Sequence, residues 1–325
     1  MFKFLHSNNI VGWILIPILL VLSKLSILSH GICPHPYDTD GVLTKGLVQF
    51  FEKQSGWYYF NIIIIYGIQL LLLYRLSAAY KILGSQSLLP CYLYLILCFY
   101  FPQFSYNLGI ALAVLMLLVV LNIYLSFFEK NINSGEILNM ALVVGLGTMF
   151  YKPFGIFFVI LIFGILSYRN NGIKNFLIAI IGLMLPWYFY FSIEYLNTGV
   201  IDFKILQFVV TFNPFLYLQF TGVSYFFAIL YIAMLAGGFL KIQGSIQSML
   251  IFNRNIYGIL SIVIVLGIVL LFMTKWLDAT ILHITTVPGC MMISYQLKEY
   301  RKASVPEILI WCIITLSLFS NFYML

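Results

Sequence analysis

The sequence predicts an all-α fold: a polytopic transmembrane helical bundle of about eleven spans, forming one integral membrane domain over residues 1–325. Three observations predict it. First, 62% of the residues are hydrophobic and only 8% are charged. Soluble domains carry about a quarter charged residues, so this chain is too poor in charge to cover a water-facing surface. Second, apolar runs of membrane length follow one another along the chain. About twenty mostly apolar residues cross ~30 Å of hydrocarbon. Third, the basic residues between these runs sort to alternate loops.

The runs fall near residues 10–29, 57–75, 87–101, 107–127, 137–151, 154–168, 175–194, 222–240, 256–273, 279–296 and 306–323. The first follows MFKFLHSNN and exceeds a signal-peptide core, so it is expected to be a retained helix and signal anchor. Three runs are short: 87–101, 137–151 and 154–168. They are expected to be spans that take in their turn residues, or re-entrant hairpins. Residues 200–221 are apolar but broken by Asn213 and Pro214, which suits an interfacial helix or a partial span.

With the N-terminus in the cytoplasm, eleven of the 17 Lys and Arg residues lie on the cytoplasmic side and five on the outer side, with Lys24 inside the first span. All four arginines (Arg75, Arg169, Arg254 and Arg301) fall inside. Positive residues are retained on the cytoplasmic side, so the first loop is expected to be periplasmic in a bacterial inner membrane. The net charge of +7 is spread singly over short loops with no basic run. That pattern excludes nucleic acid as a partner. Of the five cysteines, Cys91, Cys98, Cys290 and Cys312 lie in apolar runs, and only Cys33 lies in an aqueous loop. Without a CxxC, neither a zinc knuckle nor a disulfide framework is indicated.

Residues 30–56 form the first outer loop and the densest chemistry in the chain. Asp38 and Asp40 make a D-x-D there. Leu43, Leu47, Phe50 and Phe51 then repeat on one helical face, which predicts an amphipathic surface helix over 41–53. Two readings stand for the aspartates. They bind a divalent metal that bridges a diphosphate, or one acts as general base on an acceptor hydroxyl; alternatively Asp40 caps the surface helix and Asp38 is a solvated turn residue. His30, Cys33 and His35 precede them and offer further metal ligands, although Pro34 and Pro36 restrict their convergence.

Elsewhere, ionisable groups are few. Lys24 either snorkels to the outer interface or pairs with a carboxylate. Lys152 sits at the turn in MFYKPFG, where it holds a phosphate or simply ends a helical hairpin. Lys275 and Asp278 sit at an outer helix end, as a phosphate site or a surface pair. His283, with Thr280, Thr285 and Thr286, either lines a cavity or hydrogen-bonds between helices. Asn107 and Gln103 are expected to satisfy backbone groups near Pro102. No acidic relay lies within the spans, which weighs against an ion-driven pump.

The stretches LLLYRLSAAYKILGSQSLLPCYLYLILCFYFPQF, GLGTMFYKPFGIFFVILIFGILSYR and IAIIGLMLPWYFYF resemble an uncharacterised family of Bacteroidota inner-membrane proteins. The layout is also similar to the C-type glycosyltransferase fold (GT-C): an acidic motif in the first outer loop, a surface helix, then tight hairpins with a Lys-Pro turn. That resemblance implies a transferase acting on a lipid-phosphate-linked sugar. Asp38 and Asp40 would be catalytic, Lys152, Lys275 and His283 would hold phosphate, and a polyprenyl-phosphate lipid would be the partner. The cofactor stays open, with a divalent metal at Asp38 and Asp40 as the candidate. The alternative is a non-enzymatic integral subunit of a cell-envelope complex, bound to other membrane proteins.

Overall fold

The computed structural model describes residues 10–23, 39–51, 54–83, 87–100, 107–128, 133–167, 172–203, 222–247, 249–273 and 282–299. The expectations for Lys24, His30, Cys33, His35, Asp38, Gln103, Lys275, Asp278, Thr280, Cys312, the segment 204–221 and the run 306–323 lie outside these residues.

Eleven α-helices lie among the described residues. In chain order they are α1 (Ile10–Ser23), α2 (Val42–Phe51), α3 (Ser55–Ala79), α4 (Leu89–Tyr100), α5 (Leu108–Ser126) and α6 (Ser134–Phe150). A 3-10 turn (Lys152–Phe157) follows, then α7 (Phe158–Ser167), α8 (Gly172–Thr198), α9 (Gly222–Ser245), α10 (Ile251–Met273) and α11 (Leu282–Lys298). Four segments are long and apolar enough to cross a membrane: 56–79, 108–126, 172–198 and 251–270. The protein is therefore read as a membrane protein. The short runs expected at 87–101, 137–151 and 154–168 form helices of 12, 17 and 10 residues.

The helices pack in an order that hydrophobicity does not announce. At the centre is α11, which contacts α4, α5, α9 and α10. Thirteen consecutive residues of it, Leu282–Ser294, are buried, although they include His283, Thr285, Thr286, Pro288 and Ser294. Its hydroxyls are satisfied within the helix. Thr285 Oγ1 donates to Leu282 O (2.7 Å), Thr286 Oγ1 to His283 O (2.6 Å) and Ser294 Oγ to Cys290 O (2.6 Å). In lipid every polar group must find a partner in the protein, and back-bonding to the preceding turn is the nearest one.

At the edge is α8, which packs chiefly on α6. The two backbones meet at small residues. A Cβ on Gly182 would come within 2.7 Å of Ala141 Cβ and 3.0 Å of Leu138 O, and one on Gly145 within 2.7 Å of Leu183 O. Small residues let membrane helices approach closely. The opposite side of α8 exposes Ile173, Leu177, Ile181, Met184, Tyr188, Phe189 and Ile193.

Tyrosines stitch the ends. Tyr92 Oη donates to Gly12 O (2.8 Å), tying α4 to α1. Tyr257 Oη donates to Ile82 O (2.8 Å), and Lys298 Nζ donates to Leu83 O, so α10 and α11 both hold the turn after α3. Cys91, Cys98 and Cys290 are buried and form no disulfide among the described residues.

Candidate functional site

The site builds from the end of α6. Pro153 has no N–H to donate and suits only a first helical turn. Tyr151 is extended (φ −139°, ψ 108°), so α6 stops at Phe150 and a 3-10 turn begins at Lys152. The extended backbone offers its polar groups sideways, and residues 39–41 take them. Gly41 N–H donates to Phe150 O (2.8 Å), and Lys152 N–H donates to Thr39 O (3.0 Å). Asp40 and Tyr151 thus form an isolated antiparallel bridge. Thr44 Oγ1 adds a bond to the same Phe150 O (2.8 Å).

This bridge needs glycine at 41. A Cβ there would run into the Met149 carbonyl. It also corrects the expectation that Asp40 caps the surface helix. The helix begins at Val42, and Lys45 N–H donates to Gly41 O (3.1 Å). Gly41 is therefore the capping residue, and Asp40 lies one position further out, committed to the bridge. The helix itself spans Val42–Phe51 within the expected 41–53. It buries Thr44, Val48 and Phe51 and contacts α3, α5 and α6.

Asp40 is 1% exposed. Its carboxylate lies on the first turn of α5. A Cβ built on Gly109 would sit 2.5 Å from Asp40 Oδ1, so only glycine leaves room. Asn107 caps this turn by accepting from Ile110 N–H (3.0 Å), as expected for a residue that satisfies backbone groups. A carboxylate at a helix N-terminus meets the positive end of the dipole. Lys152, partly exposed, follows directly after the bridge. The sequence singles out Asp40 and Lys152 as separate candidates, and the bridge brings their backbones together.

His283 belongs to a different arrangement. It is fully buried, stacked on Tyr66 with ring centroids 5.3 Å apart. Its Nε2 lies 2.8 Å from Tyr94 Oη and 3.9 Å from Cys98 Sγ. Tyr94 Oη donates to Gln69 Oε1 (2.6 Å), and Gln69 Nε2 donates to Ala111 O (2.6 Å). A carbonyl only accepts, which fixes the Gln69 amide and makes Tyr94 the donor to it. His283 Nε2 must then carry the hydrogen in its bond to Tyr94. The chain links α3, α4, α5 and α11 in a row of interhelical bonds. Thr285 extends the polar patch to α9 through Tyr231 Oη (3.2 Å). Sequence reasoning missed Tyr66, Gln69 and Tyr94, since nothing marks them among 23 tyrosines and many apolar neighbours.

No group of three or more His, Cys, Asp or Glu side chains gathers as a metal would require among the described residues.

Residues 40–324 match the family described as "Family of unknown function (DUF6427)". The chain belongs to this family. The DUF6427 match opens on Asp40 and takes in Gly41, Asn107, Gly109, Lys152 and His283, so it covers the bridge and the histidine network together. No curated protein and no solved structure matches the chain.

Proposed function

We propose that this DUF6427 protein is a membrane-embedded transferase. It acts on a lipid-phosphate-linked sugar at the outer face of the bacterial inner membrane, on a GT-C-like plan of about eleven passes with the N-terminus in the cytoplasm. The observation that carries the reading is the Asp40–Tyr151 bridge. It gathers a buried carboxylate, a capped helix N-terminus and the lysine of the Lys-Pro turn at one end of the bundle.

The roles follow from chemistry. Asp40 takes the proton of an acceptor hydroxyl. The acceptor oxygen bonds to the anomeric carbon of the sugar as the bond from that carbon to the phosphate oxygen breaks. The lipid phosphate leaves with the bonding electrons, and Lys152 stabilises its growing charge. The polyprenyl tail lies along the helices in the membrane. Asp40 and Asp38 of the same D-x-D are the residues that would hold a divalent metal, which would supply charge stabilisation for the departing phosphate.

The test is ligand stabilisation of the protein purified into nanodiscs. Polyprenyl phosphate raises the melting temperature, and phosphate-free polyprenol does not. Lys152→Ala weakens binding about tenfold, as loss of one charge-assisted contact does. Asp40→Asn keeps lipid binding and abolishes transfer. Equal response to phosphate and alcohol would sink this reading. Co-purification in mild detergent with a fixed membrane partner, and no lipid-phosphate response, would favour the subunit alternative. The broad apolar face of α8 would then be the contact surface.

A further inference from the structure

The outer end of α8 carries a second constellation, next to the bridge and unused by the roles above. Trp187, Tyr190, Phe191 and Glu194 are spaced at three, four and seven residues and share one side of the helix. All four are half-buried, whereas Tyr188, Phe189 and Ile193 on the other side are exposed. The rings contact one another: Trp187–Tyr190 at 6.3 Å and Trp187–Phe191 at 5.9 Å between centroids. Beyond the helix the chain turns at Gly199 (φ +70°), and Phe203 returns onto Phe191 at 5.5 Å. The positive φ is the left-handed conformation that glycine adopts without strain.

Two carboxylates edge this aromatic surface. Glu194 and Asp202 both act electrostatically on Tyr190. Glu194 Oε2 is buried, and no hydrogen bond to it forms among the described residues. A buried carboxylate oxygen without a donor is costly, and a ligand hydroxyl would satisfy it. The surface is anchored to the proposed phosphate site. Trp187 Nε1 donates to Thr148 Oγ1 (2.8 Å), and Thr148 lies four residues before Lys152.

We propose that Trp187, Tyr190 and Glu194 form the subsite for the sugar carried on the lipid phosphate. An aromatic face stacks on the apolar face of a sugar ring, and a carboxylate beside it accepts from two ring hydroxyls. Lys152, which follows the extended Tyr151, holds the phosphate. This inference rests on the proposed function and names the part of the substrate that α8 recognises.

Thermal-shift titration of the full chain in nanodiscs tests it, comparing polyprenyl phosphate with polyprenyl-phosphate-linked glucose, mannose and galactose. At least one sugar-bearing lipid binds wild-type protein about tenfold tighter than the bare phosphate, the gain expected of one or two charge-assisted hydrogen bonds. Trp187→Leu and Glu194→Gln each remove that gain and leave bare-phosphate affinity unchanged. Lys152→Ala weakens both lipids equally. Should Trp187→Leu fail to fold, Glu194→Gln carries the test, because it removes charge at nearly constant volume. Equal wild-type affinity for all four lipids overturns the sugar subsite and leaves the lipid-phosphate reading standing. Binding of none of them overturns that reading, and the subsite with it.

Discussion

Helices α8 and α11 are opposites. The longest helix, α8, runs for 27 residues, and only 17% of its most apolar stretch is buried. The central helix, α11, is 17 residues long and is not among the segments that qualify as spans by length and composition, yet almost all of it is buried. In water the more apolar helix would be the core. In lipid the bilayer accepts apolar side chains as readily as a protein interior does, so polar residues are drawn inward to find partners. The apolar helix goes to the edge, and the one bearing histidine, threonine and serine goes to the centre.

Changes that attack each helix where it is constrained should separate the two. The largest effect is expected at the α6–α8 seam. Gly182→Leu drives a branched side chain into Ala141 Cβ and the Leu138 carbonyl. Backbone cannot yield as a side-chain tip does, and overpacking of this kind costs about 3 kcal/mol. Thermal unfolding in detergent should show it as a clear fall in melting temperature. A wild-type melting curve would mean that the helices do not meet there.

Next comes the centre. Tyr94→Phe removes the hydroxyl that serves both Gln69 and His283. Two buried polar groups lose a partner, so about 2 kcal/mol of stability goes. The same readout checks it, and an unchanged curve would break the proposal that this network holds α3, α4 and α11 together. A smaller effect is expected on α11 at Ser294→Ala. Among the described residues its hydroxyl bonds to its own helix, at Cys290 O, so the change costs about 0.5 kcal/mol. The smallest is on the outer side of α8. Met184→Leu replaces one apolar side chain with another at an exposed position. Stability should move by less than about 0.5 kcal/mol, and a larger shift would show that this face is covered by protein rather than lipid.

The site was legible in its parts. Asp40 and Lys152 stand out because a chain with 8% charge spends few ionisable residues in or near apolar runs. The surface helix was legible from the spacing of Leu43, Leu47, Phe50 and Phe51. What pairs Asp40 with Tyr151 was not legible, because the two are joined by backbone hydrogen bonds, and backbone groups are the same for every residue. Gly41 and Gly109 hold the clue only after the fact. Each is needed because another segment passes where its Cβ would be, and sequence does not show what passes. The sequence allows His283 either to line a cavity or to bond between helices. The bonds to Tyr94 and onward to Gln69 place it in an interhelical network, and the partners come from runs that look uniformly apolar.

By itself, the sequence determined the membrane character, the all-α class and the positions of the helices among the described residues. Low charge and repeated apolar runs leave a chain of this composition few other ways to satisfy its backbone. Tertiary structure alone decided which helices lie at the edge, which residues bury their polar groups and where residues 39–51 dock. The physical reason is that lipid removes the inside–outside contrast in hydrophobicity on which sequence patterns depend. Packing between small residues and hydrogen bonds between distant side chains take over that role, and both require the partner to be present.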